Sequence, residues 1–364
     1  MALTLLAPGL SSAQPAQPPV EEPAPALSRI ELEEPVQTNK VNRIGLSYRM
    51  GLNINVDFKK LGGFPAISDP GPALGITNRS YDNGSYNRVD ISGNAGGLTW
   101  NWGYEQPGQL QGGALVMESA SSPNNVTSKN QDDDPQHGFE LSYQRELGRG
   151  ENGKWRWGAE AALGYTSIEV SDSRDLRGNI NRIIDSYTIP EGVVIPNAPY
   201  HGTFEGPGAL ISALPDRTTQ VISREARITG RRELESDVYM LRLGPYFEFP
   251  IYKKLYGILS GGLTLAIGDT DFSYNETVEI EGSGSISRSS SGSQTDFLVG
   301  GYAAATLAYA FTDEWSGFVG YQFQAAGESV TSSRVKNGAP ESKKQSVLDM
   351  GEAMMVVFGV SYAF

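Results

Sequence analysis

The sequence predicts an all-β chain closed into an up-and-down antiparallel β-barrel that crosses a membrane, with about ten strands and with eight or twelve left open. Three observations predict it. Apolar and polar residues alternate with period two over most of residues 41–364. Connections alternate between short and long. Aromatic residues gather beside the short ones. Alternation gives each strand one apolar and one polar face. A soluble sandwich would share that property. A regular short/long alternation of connections and an aromatic girdle are features of membrane barrels.

Composition agrees. The 364 residues include 43 Gly, 17 Tyr, 13 Phe and 5 Trp, and no Cys, so neither a disulfide framework nor thiol chemistry is available. A net charge of -13 argues against nucleic acid as a partner, because phosphates would be repelled. No apolar run approaches the ~18 residues of a membrane helix, so a membrane span has to be built from closed strands.

Residues 1–13 read as the remnant of a signal peptide, with apolar Leu3 to Leu10 ahead of Ser11, Ser12 and Ala13 but without a basic start. Residues 14–40 form a Pro/Glu-rich tail that cannot bury a core. The barrel is expected over 41–364, with strands at about 41–58, 89–104, 112–120, 137–147, 154–171, 233–250, 255–280, 294–311, 315–330 and 346–364. In the first, Ile44, Leu46, Tyr48, Met50, Leu52, Ile54 and Val56 share the apolar face. Tight turns are expected at Thr312–Glu314, Ile251–Lys254 and Gly148–Gly153, and Gly282–Gly292 is expected as a flexible Ser/Gly loop. The girdle is expected to include Trp155, Trp157, Phe247, Phe249, Phe311 and Trp315, and also Trp100, Trp102 and Tyr104. The longest insert, 172–232, mixes apolar pieces with Pro and Gly and is expected to fold as a hairpin above the barrel or as a lid.

The polar faces carry the first candidate site. Arg43, Arg49, Glu140, Arg156, Glu160, Arg242 and Glu248 fall on the inward parity. Mixed signs at similar depth point to ion pairs filling a narrow interior, since an unpaired buried charge costs several kcal/mol. Barrels of about eight strands are just filled by side chains. A mostly plugged lumen is therefore expected ahead of a narrow porin-like channel for small polar solutes.

His137 follows Asp132, Asp133 and Asp134 at an outer rim. Such a group could serve a hydrolase, with Asp orienting His and His activating water, or could hold Ca²⁺ through oxygen ligands. A solvated acidic loop is the plainer reading and is preferred. His201 has no adjacent acid. The expectation is of no enzyme, no metal and no cofactor.

The chain ends on "MMVVFGVSYAF", with Val356, Phe358, Val360, Tyr362 and Phe364 on one face. In this the sequence resembles the outer-membrane β-barrel proteins of Gram-negative bacteria, broadly the OmpA-like small-barrel type. The resemblance implies that these five residues form the signal read by the barrel-assembly machinery. It also implies outer-membrane lipid and lipopolysaccharide as surroundings, both termini in the periplasm, and large surface loops outside. No peptidoglycan-binding domain follows the barrel segment, which counts against a wall-anchoring role. The function expected is a non-enzymatic structural or surface-binding one.

Overall fold

The computed structural model describes residues 40–75, 77–87, 95–150, 155–202, 208–335 and 342–364. The signal-peptide remnant, the tail up to residue 39 and residues 151–153 of the turn at 148–153 lie outside the described residues.

The chain starts with β1 (Asn42–Leu52), breaks at Asn53, and resumes as β2 (Asn55–Leu61). Short pieces follow: β3 (Arg79–Tyr81), β4 (Gly84–Tyr86), β5 (Leu98–Thr99), β6 (Trp102–Tyr104) and β7 (Leu110–Gln111). Next come β8 (Ala114–Ser121) and β9 (Val126–Gln131), then β10 (Gln136–Arg149), β11 (Arg156–Asp172) and β12 (Leu176–Thr188). After the two-residue β13 (Ile211–Ser212) run three very long strands, β14 (Asp216–Tyr252), β15 (Leu255–Ile280) and β16 (Gly284–Ala310). The chain finishes with β17 (Trp315–Ala325), β18 (Glu328–Ser332), β19 (Gln345–Asp349) and β20 (Ala353–Ala363).

Eight of these strands close a ring in the order β11-β10-β1-β20-β17-β16-β15-β14, sealed by the pairing of β11 with β14. Every pairing is antiparallel. The ring therefore has eight strands rather than about ten. The two extra segments lie outside it. Residues 112–120 supply β8, which pairs with β12, itself laid along the first half of β14. Within 89–104, β6 pairs with β4 in a small separate sheet. Trp102 and Tyr104 are buried there with Tyr86, Met117 and Tyr187, in an aromatic core of their own and not at a membrane girdle. They resemble membrane strands in composition because both environments demand apolar alternation. The Ser/Gly stretch expected as a loop at 282–292 is mostly strand: the turn occupies 281–283, and the β15–β16 ladder runs unbroken to Ile280↔Gly284. The partner strand holds the serines extended despite their weak intrinsic preference for it.

Along β14 the outward side chains read Phe249, Phe247, Leu243, Leu241, Tyr239 and then Asp237, Glu235, Glu233, Arg231. The inward ones read Glu248, Tyr246, Arg242, Met240 and then Val238, Leu234. The apolar face thus changes sides at Val238–Tyr239. β15 does the same at Ala266–Ile267, beyond which Asp269 and Asp271 point outward and Phe272 inward. Below the change, grease faces out and charge faces in; above it, the relation is that of a water-soluble sheet. Ten residue steps separate Phe249 from Tyr239, and a rise of ~3.3 Å per residue with a tilt near 40° makes the outward apolar band about 25 Å tall. That matches the apolar thickness a membrane strand must cover.

β1, β10, β17 and β20 reach the same level and break. Asn53 adopts φ 56° and Gly327 φ 65°. Past the break the inward parity flips, so Ile54, Val56 and Phe58 are fully buried inside. Alternation alone puts Ile54 and Val56 on the lipid face with Leu46 and Met50, and the structure corrects this. A left-handed residue turned the strand over. The four continuations pair as β18-β19-β2-β9, a small sheet that leans over the outer mouth of the ring.

Candidate functional site: a closed lumen and its outer cover

The tight-turn half of the lumen is polar, because these strands alternate and their apolar faces are committed outward. Starting at the base, Arg43 Nη1 donates to Glu248 Oε2 at 2.9 Å and to Gln144 Oε1 at 3.1 Å. Arg156 pairs with the other Glu248 oxygen and lies 3.7 Å from Glu146. One layer further in, Gln144 donates to Glu160 at 2.7 Å. Arg242 binds Glu140 through Nη2 at 2.6 Å and Nε at 3.1 Å, and reaches Glu160 through Nη1 at 3.3 Å. Its guanidinium also stands 4.4 Å from the Tyr302 ring centroid. Fully buried Arg49 completes the stack, 3.5 Å from Glu140 and 3.4 Å from Gln324.

All seven charges picked from the sequence meet in this one connected cluster. Glu146, Gln144 and Gln324 join them: Glu146 and Gln144 share the inward parity of Glu140, and Gln324 lies on the polar face of its strand. Glu146 also pairs with Arg149 at the base, so each of the four glutamates has at least one arginine partner. Small residues such as Ser260, Ala304, Thr306 and Ser361 line the space beside it, leaving a cavity of about 50 Å³. That is room for roughly three to five waters.

Above the charges the interior turns dry. Ile54 just before β2, Val56 and Phe58 from β2 and Leu348 from β19 pack against Val170, Leu234 and Phe272 of the opposite wall. Phe58 stacks on Phe272 with ring centroids 5.9 Å apart. A buried polar layer follows, with Arg232 bound to Asp172 at 3.0 Å and Lys344 to Glu276 at 2.9 Å. A second apolar cluster around Phe64, Ile180, Ile228 and Val278 closes the top. Asp172 is held below the ordinary carboxylate range: burial pushes it up, but hydrogen bonds from Ser128 and Arg174 and the charge of Arg232 outweigh that. Burial pushes the Lys344 ammonium down, with Glu276 opposing.

The His137 group is not assembled as a catalytic pair. His137 Nδ1 meets the Tyr48 hydroxyl on the outward surface. Asp133 accepts from the backbone N–H of Ser171 at 2.8 Å, and Asp134 accepts from the N–H of Asn53 at 2.5 Å. These two carboxylates brace the strand break instead of orienting the imidazole. Burial pushes the Asp134 carboxyl up, against the Asn53 bond. His201 is exposed, 3.8 Å from Glu105. Among the described residues no three His, Asp or Glu side chains converge as a metal site.

At the far end of the outer extension, Asp185 anchors the aromatic core. It receives Arg217 through two bonds of 2.6 Å and also the Tyr81 hydroxyl, which in turn lies 2.7 Å from Tyr187. Burial pushes Tyr187 up to about 12, so both tyrosines stay neutral hydrogen-bonding groups.

A closed eight-stranded ring, apolar outside over one membrane thickness and charged within, decides the class. The architecture is that of an outer-membrane β-barrel. No protein-family profile matches the sequence, and no curated protein does. Among solved structures, the barrel is similar to Ail, the attachment invasion locus protein of Yersinia pestis, at 9% identity over 90% of this chain and 100% of that one, TM-score 0.26. It is also similar to the outer membrane protease OmpT of Escherichia coli, at 11% identity over 90% and 97%, TM-score 0.32. A third is the outer membrane protein OprG of Pseudomonas aeruginosa, at 9% identity over 89% and 97%, TM-score 0.29. These likenesses carry no activity to this chain.

Proposed function

We propose that the protein is a non-enzymatic outer-membrane anchor whose lumen does not conduct and whose outer β-structure binds a partner at the cell surface. The observation that carries this reading is the ion-paired Arg/Glu cluster capped by an apolar core. A conducting path needs a continuous wet passage, and the cavity beside the cluster is about 50 Å³. The outer structure supports the binding role, because it is folded around cores of its own rather than strung out as loops. The outward apolar band supports residence in the outer membrane, with lipid and lipopolysaccharide around it and the tight turns in the periplasm. On this reading Val356, Phe358, Val360, Tyr362 and Phe364 engage the barrel-assembly machinery as the last strand closes on β1.

Planar-bilayer recording of the purified protein tests it. The expected trace is flat, and steady single-channel steps would favour the alternative, a narrow diffusion channel for small polar solutes. Replacing His137 with Ala should leave every surface property unchanged. Loss of a hydrolytic activity in that variant would overturn the non-enzymatic reading.

A further inference from the structure

The barrel is built from two unlike halves. In β11, β14, β15 and β16 the ladders pass the outer membrane edge without a register shift, from Tyr165↔Tyr239 to Asp172↔Arg232 and from Ile267↔Phe297 to Ile280↔Gly284. In the other half every ladder stops at that level. β1 and β20 pair last at Leu52↔Met354, and their continuations resume at Asn55↔Asp349. β17 and β20 end at Gln324↔Ala353, and β18 and β19 begin at Glu328↔Asp349. β1 and β10 end at Gly51↔Gln136, and β2 and β9 begin at Val56↔Gln131. Four adjacent strands are therefore interrupted along one line.

Few bonds cross that line. Asp134 holds the Asn53 N–H, Asn53 Nδ2 donates to the Glu352 carbonyl at 3.0 Å, and Ala326 N–H donates to the Met350 carbonyl at 3.1 Å. Beyond it, no ladder among the described residues joins the β18-β19-β2-β9 sheet to the unbroken wall. The two are held by apolar packing and side-chain bonds: Lys344 to Glu276 at 2.9 Å, Ser329 Oγ to Asp296 at 2.5 Å, and Arg174 to Ser128 at 2.8 Å. One backbone bond, from the Arg334 N–H to the Ser291 carbonyl at 3.0 Å, runs beside them.

We propose that this four-stranded sheet is a hinged lid, which swings as one body about the break and uncovers the apolar chamber above the charged lumen. A ladder resists separation bond by bond, whereas a boundary of side-chain contacts opens as a unit at lower cost. Residues with left-handed backbone sit where the motion has to be absorbed, Asn53 in β1–β2 and Gly327 in β17–β18. Met240, Met350 and Met355 belong to the same buried cluster, and methionine side chains repack readily. Lifting the lid exposes Val56, Phe58 and Leu348 together with Leu234 and Phe272 of the wall. The charged cluster below stays paired, so opening changes what the outer surface presents and not whether ions pass.

The chain has no cysteine, which makes a covalent lock clean to read. Amide hydrogen exchange of the full chain in lipid nanodiscs is compared for the native protein, D296C/S329C and S236C/T270C. The first pair ties lid to wall. The second ties wall to wall, where Ser236 Oγ and Thr270 Oγ1 lie 2.7 Å apart. The expected result is that segments 55–61, 328–332 and 345–349 exchange together, about tenfold or more faster than wall segments 233–238 and 269–276. The oxidised lid–wall pair should slow the lid about tenfold, reduction should restore it, and the wall–wall pair should change nothing. Lid segments protected as strongly as the wall would overturn the proposal, and so would a lock that leaves their exchange unaltered. D134A gives an independent reading where oxidation is incomplete. It removes a bond across the hinge and should speed the lid about fivefold with the wall unchanged. Equal acceleration of lid and wall would refute a hinge at this line.

Discussion

Replacing Arg242 with Ala removes the centre of the lumen cluster. Three charge-assisted bonds disappear, two to Glu140 at 2.6 and 3.1 Å and one to Glu160 at 3.3 Å, together with the guanidinium stacked 4.4 Å from Tyr302. The two glutamates are not left equally bare. Glu140 keeps Arg49 at 3.5 Å, whereas Glu160 keeps the Gln144 amide at 2.7 Å and no cation among the described residues. Glu160 is then a buried carboxylate with no arginine beside it among the described residues. Breaking a buried pair in this way costs about 3–5 kcal/mol, and the lost ring contact adds about 0.5–1 kcal/mol. Urea unfolding in lipid vesicles, followed by tryptophan fluorescence and by heat-modifiable gel mobility, should place R242A about 4 kcal/mol below the native protein. Adding E160Q removes that uncompensated carboxylate, so the double variant should recover about half of that loss. A cost under about 1 kcal/mol for R242A, or an E160Q effect that simply adds to it, would refute the idea that paired charges hold the lumen together.

The level of the membrane edge is tested by two arginines on β15. L263R, in the middle of the apolar band, should cost about 2–4 kcal/mol in the same unfolding assay, and D271R, above the edge, under about 1 kcal/mol. At the break, N53V forces a β-branched residue into a left-handed conformation and should destabilise the lid by about 1–2 kcal/mol, while N53G should be near neutral; proteolysis of the outer region reads both. Asp172 has a depressed folded pKa, so its stabilisation is present above the ordinary carboxylate value of ~3.9 and fades as pH falls below it. D172N should therefore flatten the acid limb of protease resistance in the outer region and lower resistance at neutral pH. Deleting Phe364 should abolish the heat-modifiable folded form in cells while leaving refolding into detergent largely intact.

The membrane half was legible because lipid imposes one rule on every strand. Leu46, Phe247, Leu263 and Phe358 had to face out, and the charges between them therefore had to face in. The outer half was harder to read because two devices solve one problem there. Above the membrane, water lies outside, so the apolar face has to move inward. β14 and β15 make the change in sequence, by placing two apolar residues side by side at Val238–Tyr239 and Ala266–Ile267. β1 keeps its even-numbered apolar run through Ile54 and Val56 and makes the change in backbone, at Asn53. The first device leaves a visible phase slip, which the sequence supports in retrospect. The second leaves an unbroken pattern and a single asparagine. The serines of β16 were hidden for another reason: a strand wet on its outer side and held by a long partner needs little apolar content of its own.

The phase change at Val238–Tyr239 also works as a ruler. From Asp237 back to Asp216 the strand continues for about twenty residues beyond the lipid surface, which at ~3.3 Å per residue and a tilt near 40° lifts its far end by about 50 Å. The aromatic core around Trp102 and Tyr187 stands at that height. A partner too large to approach the bilayer could still touch it. The ring in the membrane is then the pedestal of a stalk.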